Sequence, residues 1–112
     1  MNFEMQKANM LAKNINEFIK FIQKSHENKR TDKVYQIKLL MEEFKFQILA
    51  DELLRINQYS WDEKYTCYLV DRFIEGINVI EEYVKHNYDD VYIFSARLHT
   101  LMNLSLPFTK KE

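Results

Sequence analysis

Only one glycine, Gly76, and one proline, Pro107, occur among 112 residues. That scarcity constrains the fold more than any other feature. β-Hairpins and sandwiches use both residues at their turns, because glycine supplies positive φ and proline presets the first corner. Long helices exclude both from their interiors, glycine through backbone entropy and proline through its missing N–H. With hydrophobic residues at 46% and aromatics at 14%, the chain can bury enough surface to fold. It points to a single all-α domain spanning 1–112, a length that suits one hydrophobic core.

Apolar spacing locates the helices. Ala8, Leu11, Ala12, Ile15, Ile19 and Ile22 recur at intervals of three and four, drawing one stripe on a helix over 3–25. The charged run 24–33 holds no apolar residue and reads as the first loop. Thr31 or Asp32 can cap a second helix over 32–57. That helix carries two stripes: Val34, Ile37, Met41, Phe44 and Ile48, and on the opposite side Leu39, Phe46, Ala50 and Leu53. Ser60-Trp61-Asp62-Glu63 has the S-x-x-E form of a capping box, opening a third helix over 61–86. Its inward stripe is Tyr65, Leu69, Phe73, Gly76, Ile77, Ile80 and Val84. A glycine inside a helix costs about 1 kcal/mol against alanine, so close approach by another helix or an aromatic ring is expected at Gly76. Asp89 or Asp90 caps a fourth helix over 90–105, with Val91, Phe94, Leu98, Leu101 and Met102 inward. Pro107 ends it, leaving 107–112 as a loose tail. Short loops make sequential helices antiparallel neighbours, hence an antiparallel four-helix bundle.

The formal net charge of −1 leaves no electrostatic footprint for nucleic acid. A single cysteine, Cys67, cannot form an internal disulfide, which suits a reducing cytoplasm. No stretch approaches the ~20 apolar residues needed to span a bilayer, and the N-terminus lacks a signal peptide's apolar run. A cytoplasmic protein is expected, with no membrane contact.

No motif carries recognisable chemistry. Carboxylate-bridged di-iron bundles place Glu and His three apart on one helical face, and none of His26, His86 or His99 has that partner. His86 with Asp89 and Asp90 is the best remaining cluster, at a helix junction where solvated polar residues are expected. No metal or cofactor is expected. Cys67 has no nearby histidine in sequence to activate it. Carboxylate pairs at 42–43, 51–52, 81–82 and 89–90 lack the second acid at helical spacing that nucleotide pyrophosphatases of the MazG type use. Arg97 and His99 stand too close in sequence for the Arg–His spacing of a helical HEPN-type ribonuclease.

The functional lead is apolar. Phe3, Met10 and Phe21 fall about 120° from the main stripe of the first helix. They either widen the core face or form a patch for a protein partner or a second copy. Lys24, His26, Lys29 and Arg30 can meet an acidic partner. The candidate protein contacts are therefore Phe3, Met10, Phe21, Lys24, Lys29 and Arg30. Residues 1–30 hold six Lys/Arg against three acids, and 59–88 the reverse, three against six, so the first and third helices can attract if they pack side by side. The reading is a non-enzymatic cytoplasmic adaptor or regulator. The alternatives are an immunity- or inhibitor-type bundle that blocks a toxin or nuclease, and a small hydrolase with a carboxylate site.

Four blocks, ADELLRIN (50–57), a Tyr-containing connection into the third helix, IEEYVKHNY (80–88) and SARLHTL (95–101), occur in an order that resembles the YppE-like family of small helical proteins from Gram-positive bacteria. The resemblance runs from Val34 to Leu101. It implies a four-helix bundle of uncharacterised function and brings no catalytic residues with it.

Overall fold

The stripe of the first segment becomes the buried face of a long helix. The computed structural model describes residues 3–29, 32–55, 63–89 and 91–109. In them the chain forms α1 (Phe3–Lys29), α2 (Asp32–Glu43), α3 (Phe46–Arg55), α4 (Glu63–Asn87), α5 (Tyr92–Ser105) and a 3₁₀ turn, Leu106–Phe108. The fold is all-α. At 1.5 Å per residue α1 is about 40 Å long, and it sets the 42 Å long dimension of the molecule. α1 continues past residue 25 to Lys29, into the charged run read as a loop. Lys, His and Glu are compatible with helix.

The expected second helix is two helices. Lys45 has φ 60, the left-handed region that ends helices and usually takes glycine. Its N–H donates to the Glu42 carbonyl at 3.2 Å, and its own carbonyl accepts from Leu49 N–H at 3.0 Å. One residue therefore closes α2 and opens α3. The break explains the two opposed stripes. Before it, Val34, Ile37 and Met41 are buried; after it, Phe46, Leu49, Ala50 and Leu53 are buried, while Ile48 and Leu39 face outward. The chain turns its apolar face back to the core by breaking the helix, not by burying both sides of a straight one.

Gly76 makes room for this break. A Cβ on it would lie 2.7 Å from Phe44 Cβ and 2.8 Å from both Phe44 Cγ and Phe46 Cε1. The expected close approach is real, and its partner is the α2–α3 corner.

α1 packs against α2, α3 and α5, and α4 packs against the same three helices. Among the described residues the backbones of α1 and α4 nowhere approach within 8 Å, so the two helices do not pack side by side, the arrangement on which the expected charge attraction depends. Aromatic rings run through the core from helix to helix. Phe73 of α4 meets Phe46 of α3 at 4.4 Å between centroids, Phe46 meets Phe18 of α1 at 6.4 Å, and Phe18 neighbours Phe21 at 6.5 Å. Phe21 meets Phe94 of α5 edge-on at 5.8 Å, and Phe94 meets Tyr88 at 4.8 Å. Such pairs add about 0.5–1.5 kcal/mol each beyond their buried area.

Three further expectations change. Tyr65 is exposed, and Thr66 takes the inward position in its place. α5 starts after Val91, whose αR backbone carries no side-chain cap; Val91 packs against the core instead. Asp90, like the capping-box residues Ser60, Trp61 and Asp62, lies outside the described residues. Pro107 sits in the first turn of the 3₁₀ segment, and Phe108, read from sequence as tail, is buried in the core.

Candidate functional site

Of the candidate contacts on α1, Phe21 borders α5. Met10 and Phe21 are eleven residues apart, about 16 Å along the axis and about 20° around it, so they share one side of the helix. Met10 is 56% exposed. Phe21 is half-buried and packs against the core, edge-on to Phe94. Lys24 is exposed on the same helix. Phe3 and Lys29 fall within α1, but their side chains, and Arg30 altogether, lie outside the described residues. The structure thus brings Phe21 into an α1–α5 seam and leaves Met10 open to solvent on the same side.

A groove of about 200 Å³ runs along this seam, lined by Asn14, Glu17 and Phe18 of α1 and by Ala96, Arg97, Thr100 and Leu101 of α5. Its floor is apolar, since Phe18 and Leu101 are core residues. The volume falls below the roughly 300 Å³ at which small-molecule pockets begin, so the groove fits a docked side chain or helix edge better than an enclosed substrate.

Arg97 is the residue whose contact the sequence did not reveal, having been weighed only beside His99. Its guanidinium carbon stacks 4.1 Å from the centroid of the Phe21 ring, a cation–π geometry that also holds the fork in one plane. Arg97 stands three residues after Phe94 and four before Leu101, at the exposed edge of the apolar stripe of α5, where a charged residue is ordinary, so the sequence carried no signal for its contact with Phe21. His99, two positions on, is turned about 200° away on a helix, so the two do not form a pair.

The other candidates resolve into surface chemistry. Among the described residues no three His, Cys, Asp or Glu side chains gather to hold a metal. His86 Nε2 lies 3.5 Å from Glu82 on the α4 surface. Glu52 pairs with Arg55, whose Nη2 is 2.6 Å away, and Glu81 pairs with Lys85 at 3.1 Å. Exposed pairs of this kind are worth about 0–1 kcal/mol. Glu42, Glu43, Asp51 and Asp89 are exposed. Cys67, half-buried in α4, forms no disulfide. No helix of the described residues is long and apolar enough to cross a membrane. No family model matches the chain, and neither the curated proteins nor the solved structures contain a match to it.

Proposed function

We propose that this chain is a non-enzymatic cytoplasmic interaction protein, an adaptor or regulator that docks a partner on its α1–α5 edge. The observation that carries the reading is the seam itself: an apolar-floored groove too small for most substrates, with Met10, 56% exposed, one turn along α1 from the groove residue Asn14. Exposed methionine and aromatic side chains are enriched at protein interfaces. The scaffold proposed for this edge is an antiparallel four-helix bundle in which α2 and α3 together form the second, broken helix. Contacting pairs support it, because residue numbers rise on one helix as they fall on its neighbour. On α1 and α3, Asn16 meets Gln47 and Phe18 meets Phe46; at the two ends of α2, Lys33 lies over Tyr88, just past α4, and Arg72 of α4 over Phe44, just past α2. Kinship with the YppE-like proteins belongs to the same proposal and rests on the order of its helical blocks.

The test is co-purification of a tagged chain from its host. A partner retained by the wild type and by Leu39→Glu, but lost with Met10→Glu, supports the reading. A partner indifferent to Met10→Glu, or a hydrolytic activity abolished by Glu81→Gln and Glu82→Gln, sinks it. If the partner is a toxin or nuclease that the chain inhibits, the module is of the immunity type.

A further inference from the structure

The charge and geometry of the groove specify what kind of partner it takes. Arg97 gives its face to Phe21, and Phe21 is itself braced by Phe94. The N–H edges of the guanidinium stay available: among the described residues Arg97 closes no salt bridge, although Glu17 lines the same groove. A planar fork already held against a ring loses little freedom on binding and matches a carboxylate with two parallel hydrogen bonds. The surroundings have the same sign. No Asp or Glu occurs from Val91 to Thr109, and among the described side chains of α1 the exposed charges are Lys13, Lys20 and Lys24 against Glu17. In a chain of net charge −1, other faces carry more of the acid: Glu42 and Glu43 on α2, Asp51 on α3, and Asp71, Glu75 and Glu82 on α4 are exposed. Apolar anchors accompany the cations. Met10 is 56% exposed and Ile93 53% exposed. The pairing of Phe21 with Phe94 sets Ile93 near the Phe21 end of the seam, with Met10 about three turns away.

We propose that the α1–α5 groove receives an acidic amphipathic helix from a partner protein, its carboxylate held by Arg97 and its apolar side chains laid along Met10, Phe21, Ala96 and Ile93. The inference rests on the reading that this edge docks a protein, and it adds the partner's chemistry. A second copy of the chain fits less well: its exposed acids lie on other faces, so the contact would be head-to-tail and not the two-fold contact of the common homodimer.

The probe is a displayed library of random peptides about four helical turns long, panned on the intact chain. The peptides it selects are then synthesised and titrated by fluorescence anisotropy. They are expected to carry Asp or Glu beside apolar residues spaced three and four apart. Binding should weaken about tenfold with Arg97→Ala and several-fold with Arg97→Lys, which keeps the charge but loses the fork. It should tighten about twofold with Glu17→Gln and weaken as salt is raised. Far-UV circular dichroism checks that each variant is folded. Selected peptides that lose binding with Met10→Glu but show no acidic excess and ignore Arg97 overturn the acidic partner and leave the docking edge standing. No selected peptides, or peptides indifferent to both Met10→Glu and Arg97→Ala, overturn both. A dimer in sedimentation that Met10→Glu dissolves assigns the groove to a second copy and overturns the proposal. So does Arg97-dependent binding to phosphatidylglycerol vesicles with no peptide binding.

Discussion

At the scale of single residues, two positions in the core are set by contacts that their own chemistry does not reveal. Gly76→Ala should gain about 1 kcal/mol of helix propensity. It also drives a methyl to 2.7 Å from Phe44 Cβ, and Phe44 Cβ is fixed to the backbone of the α2–α3 corner. Overpacking of this kind costs about 1–3 kcal/mol, so the steric term wins. We expect a net loss of about 1 kcal/mol by urea titration, where an unconstrained helix would gain. Tyr88 is the second position. Its hydroxyl oxygen is buried without a hydrogen-bond partner among the described residues, and burial raises its pKa, with nearby Tyr83 adding to the effect. The folded state therefore favours the neutral phenol. That contribution is complete below the ordinary phenol value of about 10 and is lost as pH rises through the higher folded value. Lys85, raised by its hydrogen bond to Glu81 and by the charges of Glu81 and Glu82, loses its contribution in the same alkaline direction. Tyr88→Phe should stabilise the protein by about 1 kcal/mol at neutral pH, because it removes an unsatisfied buried hydroxyl. It should also flatten the loss of stability above about pH 10. Thermal melts across pH 8 to 11 measure both. A Tyr88→Phe profile that falls as steeply as wild type would contradict the account.

At the scale of elements, the α2–α3 break decides which residues reach the core. A left-handed conformation costs a residue with a Cβ about 1–2 kcal/mol, and Lys45 adopts it. Lys45→Gly should therefore raise stability by about 1 kcal/mol, less what glycine's freer unfolded chain takes back. A drop in stability would mean that the lysine side chain contributes more than the backbone strain. The break also separates Phe46 from Ile48. Phe46 is 0% exposed and Ile48 is 45% exposed. Phe46→Ala should cost about 3–5 kcal/mol and Ile48→Ala no more than about 0.5 kcal/mol. A straight helix that kept Ile48 on the inward stripe of Val34 and Ile37 predicts the reverse order, so chemical denaturation of the pair tests the break itself.

For the whole molecule, the relevant fact is that one continuous cluster joins Ala8 near one end of the chain to Phe108 near the other. Phe108 reaches that cluster through the 3₁₀ turn that follows α5, where Ser105 Oγ donates to the Leu101 carbonyl at 2.6 Å. Phe108→Ala should remove about 3 kcal/mol from the global unfolding free energy. It should shift one cooperative transition without adding a separate early phase. Coincidence of far-UV circular dichroism and tyrosine fluorescence is the check, and an early phase confined to the last helix would show that the C-terminal turn is not part of the core. The same packing biases charge: no Asp or Glu occurs from Val91 to Thr109, while exposed acids stand on α2, α3 and α4 as Glu42, Glu43, Asp51, Asp71, Glu75 and Glu82.

Helix formation, the inward faces of α1 and of most of α4, and the stop near Pro107 were all legible in the residues. They depend on local propensity and on a period that any partner helix would satisfy. The candidate edge was half legible. Met10 and Phe21 declare themselves as apolar residues off the stripe, but Arg97 gains its meaning only when α5 lies beside α1. Tertiary structure alone decided the break at Lys45, because left-handed backbone at a non-glycine position has no sequence signature. The lone glycine shows the same division. Its rarity follows from an all-helical chain, while its place at 76 follows from where the Phe44–Phe46 corner meets α4. Steric exclusion between helices is a property of their packing, and no single helix carries it.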